Sequence, residues 1–542
     1  MSGFTGTFAL VRLALRRDRI QLPIWILGLT LMFMLNAASI AELYDTGTEL
    51  AAQARIEAGN AVSLLFNGPA LGASLGGVIT VETSFLLVVL VPLMSSMAVV
   101  RHTRQNEETG RAELIGATVV GRHASLTAAL IVAIGANLVL SALLTAILIS
   151  NDLSVSSSML TGLSSTGAGI SFAAIAAVAA QIAQSSRAAN GLATAALGVA
   201  FVLRGIGDTL SEVTSDGVKA ISAWPSWLSP LGWMQQIRPF DDDRWWVLAL
   251  PVVLFVLLVG AAFTLTGHRD FGTGMLPTRP GPAAAVPSLL SPLGLAWRLQ
   301  RGVLIAWVAG ISVFGITIGM MADAADEIFS ASEQVKEAIN QLGGGAALTD
   351  TFFAAMMSLF GISVAGYTVQ SLLRMRSEES SGQLESVLAT SISRPAWMAS
   401  HIACAVAGTV GLLLVAGVTT GLGYGLVSGG FGDFWRVTGA AAVQVPAALA
   451  LAGFVVAAFG LLPRYAAAIS WAGLVVCLVL GQIGELLQLP QTVLDLSPFG
   501  HIPAVPAADV TAAPIVSLFA VAVVLAVAGV VSFRRRDVAT GS

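Results

Sequence analysis

The sequence predicts an all-α, polytopic membrane protein of twelve transmembrane helices, arranged as two pseudo-symmetric six-helix halves with an amphipathic interfacial helix leading into each. Three observations predict it. Hydrophobic residues make up 56% of the chain and mean hydropathy is +0.82, in repeated apolar runs of the roughly 20 residues that cross a bilayer. Charged residues are only 11% and gather in short islands between those runs. One island is written twice: RQNEETGRAELIGATVVGR at 104–122 returns as RSEESSGQLESVLATSISR at 376–394. At a constant offset of 272, Arg104, Glu107, Gly110, Glu113, Ala117, Thr118 and Arg122 recur as Arg376, Glu379, Gly382, Glu385, Ala389, Thr390 and Arg394.

The elements follow in order. Phe4, Phe8, Val11 and Leu15 recur at helical spacing beside Arg12, Arg16 and Arg19, the pattern of a helix lying in the headgroup region. The first span is placed at 21–41. A signal peptide cleaved near 39–41 is the rival reading, disfavoured because the apolar region is long for one. In addition, LALRRDRIQLPIWILG at 13–28 is echoed by LAWRLQRGVLIAWVAG at 295–310. Residues 42–78 form a polar excursion, and a second span at 79–100 carries a kink at Pro92. After the first island come spans at 124–149, 162–184 and 188–207, an excursion at 208–244 containing LSPLG at 228–232, and a sixth span at 245–267.

Residues 268–290, rich in Pro and Gly, read as a linker between a first half at 1–267 and a second at 291–542. The second half repeats the plan. An amphipathic stretch at 293–301 precedes spans at 303–322, 351–373, 399–421, 438–461, 466–484 and 513–533. LSPFG at 496–500 answers LSPLG, and Arg536-Asp537 answers Arg269-Asp270. Six spans per copy keep both copies in one orientation, related by an axis along the membrane normal.

Composition excludes several functions. A net charge of −4 leaves no basic surface for nucleic acid. The only lysines are Lys219 and Lys336, neither in a Walker A setting, so the chain holds no P-loop of its own. The five histidines lack ligand spacing, and no metal or catalytic constellation stands out. Cys404 and Cys477 both fall in spans and read as small apolar side chains. Placing the N-terminus, both islands, the linker, the loops at Arg187 and Arg464 and the C-terminal arginines on one side collects 20 of the 27 basic residues there. That side is expected to be the cytoplasm. Of ionisable groups at membrane depth, Glu82, Arg204 and Glu485 sit near span ends and read as interfacial. Arg204 and Asp208, four apart on one face, can pair.

The order and duplication of these landmarks resemble a type 2 ABC exporter permease, more closely the fused twelve-span permeases of actinobacterial multidrug and polyketide-antibiotic efflux. The resemblance covers essentially the whole chain. It implies a bacterial plasma-membrane protein with cytoplasmic termini that binds no cofactor itself. ATP and magnesium would belong to two copies of a separately encoded ATPase subunit. The island after the second span of each half would be the coupling helix on which that subunit docks, and a bulky hydrophobic drug or antibiotic would be exported. The loops before each sixth span, with Ser229, Pro230, Ser497 and Pro498, would form an external gate.

The island chemistry agrees. Gly110 and Gly382 can stop one helix, and short helices are predicted at 111–118 and 383–390, with Leu114, Ile115, Val387 and Leu388 beside Glu113 and Glu385. An apolar patch flanked by carboxylates fits a partner groove with basic residues. Glu108 becomes Ser380 and Arg111 becomes Gln383, so the two docking sites are not equivalent and two different ATPase subunits are an open alternative. For the transport path, Phe353, Met356, Phe360 and Tyr367 form one stripe, with Met94 and Met97 as counterparts in the second span. The competing function is a proton-coupled transporter, which needs ionisable groups at mid-membrane. Export of a lipid or cell-envelope component is a further alternative.

Overall fold

The computed structural model describes residues 3–44, 46–269, 272–275, 284, 286–330, 345–482 and 490–537. Asp270, Lys336, Glu485 and much of the 268–290 linker lie outside them. The chain divides into two compact units, Met1–Pro280 and Gly281–Ser542. Both are helical, and a small antiparallel hairpin, β1 (Glu212–Val213) with β2 (Ala220–Ile221), is the one sheet among the described residues. Eleven described helices are long and apolar enough to cross a membrane.

In the first unit, α1 (Thr7–Arg17) and α2 (Gln21–Leu43) are separate helices joined at Asp18. The α2 helix is an integral part of the unit, burying Leu22, Leu29, Phe33, Ala37 and Ile40 in a cluster shared with α5 and α8. The excursion at 42–78 folds as α3 (Gly47–Gly59), opened by a Thr46/Glu49 capping box, and α4 (Ala61–Phe66). Then α5 (Leu75–His102) runs on past Pro92. The first island forms α6 (Arg104–Glu108) and α7 (Arg111–Gly116), and α8 (Ala124–Ser150), α9 (Val155–Ile182) and α10 (Ser186–Thr209) follow. A short α11 (Pro230–Gln236) precedes the sixth long helix, α12 (Ala249–His268).

The centre of the unit is α9, which packs against α5, α8, α10 and α12. Its Gly, Ala and Ser residues let neighbouring backbones approach closely, the way helices associate where no hydrophobic drive exists between them. It begins seven residues earlier than the predicted 162. Thr161, Ser165 and Ser171 donate to carbonyls three or four residues back, so a segment that reads as polar is satisfied inside its own helix. By contrast α12 leaves Val252, Val253, Val256 and Leu257 more than half exposed, as a lipid-facing helix does.

The second unit starts differently. The predicted amphipathic stretch at 293–301 is not a separate interfacial helix, because α13 (Pro292–Ser330) runs through it without a break. The residue matching Asp18 is Gln300, a good helix former that bonds His401 and Ser371 from within the helix. After α13 come α14 (Gly345–Leu372), α15 (Arg374–Ser380), α16 (Gln383–Leu388) and α17 (Arg394–Ser428). The predicted span at 438–461 is found as one membrane-crossing stretch, Phe434–Leu461, built of α18 (Phe434–Ala442) and α19 (Val445–Leu461), with Pro446 at the start of the latter. The predicted span at 466–484 appears as the shorter apolar helix α20 (Ala466–Gln482), its expected end lying beyond the described residues. A single turn, α21 (Gln491–Leu494), leads to α22 (Ala512–Arg535). Here α19 is the central helix. It packs on α22 and α14, and Gly453 lies so close to Ala522 that a methyl group would sit 2.5 Å from its carbonyl.

Candidate functional site

Each island folds as two short helices around one glycine. Gly110 (φ 71°) and Gly382 (φ 74°) take the left-handed conformation that a residue with a side chain rarely adopts, ending α6 and α15 and turning the chain into α7 and α16. Both six-residue helices bury one residue, Ala112 or Leu384, and expose the next, Glu113 or Glu385. Leu114 is 75% exposed, an apolar side chain that its own unit leaves uncovered.

The other duplicated charges point inward and build a clasp. In the first unit Glu107 accepts from Arg104 at 2.5 Å and from both terminal nitrogens of Arg269 at 2.5 and 2.8 Å. Arg122 donates to the Arg269 carbonyl at 2.8 Å. Arg104 is fully buried and also reaches the Ala183 carbonyl. In the second unit Glu379 accepts from Arg376 at 3.2 Å and from Arg536 at 2.7 and 3.1 Å, while Arg394 donates to the Arg536 carbonyl at 2.8 Å. Arg269 and Arg536 directly follow α12 and α22. Each island is therefore tied by a bidentate Arg–carboxylate pair to the end of the last long helix described in its own unit, α12 or α22.

A second buried cluster lies behind each island. In the first unit Asp18, between α1 and α2, holds His102 at 2.5 Å and Arg101 at 3.2 Å, and Asn106 accepts from Arg17 at 2.5 Å. In the second unit the amide is on the leading helix and the carboxylate on the island. Glu378, which matches Asn106, accepts from Arg374 at 3.2 Å and Trp397 at 3.3 Å and stands 3.5 Å from His401, which in turn meets Gln300.

Residues 289–534 match the family model described as Multidrug efflux system permease Rv1217c, C-terminal domain. Over 540 residues the chain is 40% identical to the multidrug efflux system permease protein Rv1217c of Mycobacterium tuberculosis (strain ATCC 25618 / H37Rv), covering 99% of this chain and 96% of that protein. The chain belongs to the multidrug efflux system permease family. The expected family is thereby borne out, and the chain is a multi-pass transmembrane permease subunit of an ABC-type efflux transporter.

The permease's remaining candidate residues sort by burial. Phe353, Phe360 and Tyr367 are fully buried in the second unit's core with Leu412, Ala416 and Val437, and Met356 packs at its edge. The stripe faces neighbouring helices: Phe353 meets Tyr424 at 5.3 Å, Phe360 meets Phe314 at 5.3 Å, and Tyr367 meets Trp307 at 6.2 Å. Met94 is buried too, whereas Met97 is 41% exposed and borders a cavity of about 300 Å³ with Arg17, Gln21 and Arg101. Ser229 and Ser497 are wholly buried. Ser229 donates to Ala200 at 2.7 Å, and Ser497 to Cys477 at 3.4 Å, each with its proline opening the next helical turn. They pin the loops to α10 and α20, and Leu228 and Leu496 beside them are exposed.

Arg204 and Asp208 do pair, at 3.7 Å in a fully buried setting, with Ser226 donating to Asp208 at 2.9 Å. Sequence reasoning missed Asp18, His102, Glu378 and, of the clasp arginines, Arg269 and Arg536. For the last the signal existed: Arg269 recurs as Arg536 beside the same aspartate neighbour.

Proposed function

We propose that this permease supplies both transmembrane halves of an ATP-driven exporter, with residues 1–267 and 291–542 as pseudo-symmetric six-span halves joined by a cytosolic linker at 268–290. Two separately encoded ATPase subunits, which carry the ATP and magnesium, dock on α7 and α16. Glu113, Glu385 and Leu114 are the contact residues, because they are what the two short helices present to solvent. Arg104, Glu107, Arg122, Arg376, Glu379 and Arg394 act behind that surface. They carry displacement of a short helix into Arg269 or Arg536 and so into the sixth helix of that half.

The clasp is the single observation that carries this reading. Buried, charge-assisted and bidentate, it gives each exposed short helix a stiff link to a membrane-crossing one. Both termini and both islands lie in the cytoplasm on this reading, in keeping with the distribution of Arg. Bulky hydrophobic compounds are the substrate class, since no charged ring stands among the described residues to hold a small ion, and the relative from Mycobacterium tuberculosis is named a multidrug efflux permease. The exposed leucines Leu228 and Leu496 are the gate-facing residues of loops anchored by Ser229-Pro230 and Ser497-Pro498.

Purified alone, the chain is expected to hydrolyse no ATP; co-purified with the ATPase, the complex does. The double variant Glu113→Arg/Glu385→Arg is expected to weaken assembly about tenfold per site at low salt without lowering the melting temperature of the isolated permease. Undiminished assembly of that double variant would move the docking surface elsewhere.

A further inference from the structure

Between α1, α7 and the start of α8 lies a cleft of about 600 Å³. Its lining combines three cations, Arg16 and Arg17 on α1 and Arg111 on α7, with the apolar Leu10, Leu13 and Leu114 on the same two helices. No carboxylate lines it. The nearby acid, Asp18, is committed to Arg101 and His102. Arg17 has only the neutral Asn106 as a hydrogen-bond partner, and Arg16 and Arg111 make no ion pair among the described residues. Burial pulls the Arg17 guanidinium below its usual range, and repulsion from Arg111 and Arg101 adds to this. Three cations thus share a space whose one neighbouring acid among the described residues, Asp18, attracts Arg17 but is already paired with Arg101 and His102. Leu13 and Leu114, 53% and 75% exposed, border the same space, and α1 has the arrangement of a helix lying in the headgroup region.

We propose that this cleft is a binding site for one anionic phospholipid of the membrane leaflet that α1 faces, the cytoplasmic one on the orientation proposed above. The phosphate sits among Arg16, Arg17 and Arg111, and the acyl chains lie along Leu10, Leu13 and Ile115. Guanidinium forks match phosphate oxygens, and a lipid supplies the apolar part that a free anion lacks. The site belongs to the first unit alone: Arg17 is matched by Leu299, Arg111 by Gln383 and Leu114 by Ser386. Because the lipid would touch both the leading helix and the docking helix, its presence fixes the position of α7.

The test is lipid retention by the full chain in neutral detergent, counted by native mass spectrometry during titration with phosphatidylglycerol or phosphatidylcholine, with inorganic phosphate as competitor. One phosphatidylglycerol is expected to bind in clear preference to phosphatidylcholine and to resist millimolar phosphate. Arg111→Gln is expected to weaken it about fivefold and Arg16→Gln/Arg111→Gln about 25-fold, on the order of fivefold per cation near a membrane surface, while Arg298→Gln in the second unit leaves it unchanged. Arg111 is exposed and makes no ion pair among the described residues, so its single variant stays informative should the double one fold poorly. Unchanged phosphatidylglycerol affinity in Arg111→Gln would overturn the assignment. So would displacement by phosphate alone, which marks a bare anion site. Loss of ATPase assembly with lipid retention intact would overturn it in favour of a partner seat. Sidedness is read separately, by labelling of cysteines introduced near α1, so failure of the orientation and failure of the lipid site are distinguishable.

Discussion

The clasp around Glu107 and the clasp around Glu379 use the same four positions and differ in what surrounds them. In the first unit the socket is polar: Arg269 also bonds the Gln181 side chain at 2.7 Å and the Thr273 carbonyl at 2.8 Å, and Arg104 reaches Ala183. In the second it is aromatic, with the Arg536 guanidinium 5.0 Å from the Phe459 ring and 5.1 Å from that of Phe533, and Glu379 is fully buried. The duplicated charges kept their geometry while the packing around them diverged. A linkage whose ion pairs persist in two different sockets is held for its geometry, since surroundings alone would not require those charges twice.

That contrast can be broken by substitution. Glu379→Gln leaves Arg376 and Arg536 facing a neutral amide in an apolar socket. It is expected to cost about 3–5 kcal/mol, the usual loss when one partner of a buried pair is removed, read as a shift in denaturant unfolding in detergent. Glu107→Gln is expected to cost less than half of that, because Arg269 and Arg104 keep their carbonyl and amide partners. Equal losses would show that the sockets do not matter.

The next effect is read against pH and belongs to the first unit. Glu57 on α3 is 3% exposed with one carboxylate oxygen unpaired, and burial, reinforced by the neighbouring Glu82, pushes it up to about 8 from an ordinary 4.5. The folded protein keeps a proton there that the unfolded chain releases above 4.5. Its contribution to stability is therefore complete below 4.5 and is lost as pH rises through 8. Melting temperature is expected to fall between about pH 5 and about pH 8, and Glu57→Gln to flatten that slope. A slope unchanged in the variant would place the titration in another group.

The smallest effect concerns the swapped carboxylate. Asp18→Gln alone, and Asn106→Glu alone, each impose on the first unit one half of the second unit's arrangement. Together they are expected to recover on the order of 1 kcal/mol relative to the sum of the single variants, measured as a double-mutant cycle. Strict additivity would mean that the two clusters are not alternative solutions to one requirement.

Much of this was legible because its physics is local. Apolar runs located the long helices closely at many ends, and Gly110 and Gly382 signalled the reversal inside each island, since only a residue without a side chain takes that conformation cheaply. The clasp was less legible because Glu107 and Arg269 are 162 residues apart. Charge in the island could as well have faced solvent, and only the echo of Arg269 at Arg536 hinted otherwise. The aromatic stripe from Phe353 to Tyr367 showed which residues share a face of α14. Helical period cannot say whether that face meets a cavity or a neighbouring helix, and here it meets helices. The break before the span at 21 was legible, but the part Asp18 plays in it escaped for a related reason. Its effect depends on His102 and Arg101, which arrive from a different helix.

The unbroken α13 has a mechanical consequence. Its 39 residues make a shaft of about 59 Å at 1.5 Å per residue, so a push on its outer turns cannot be absorbed before it reaches the membrane. The first unit has an elbow at Asp18, and an elbow can dissipate or redirect the same push. On the proposed ATPase docking, two strokes of equal strength, one to each unit, would then leave the bilayer-embedded parts with unequal travel.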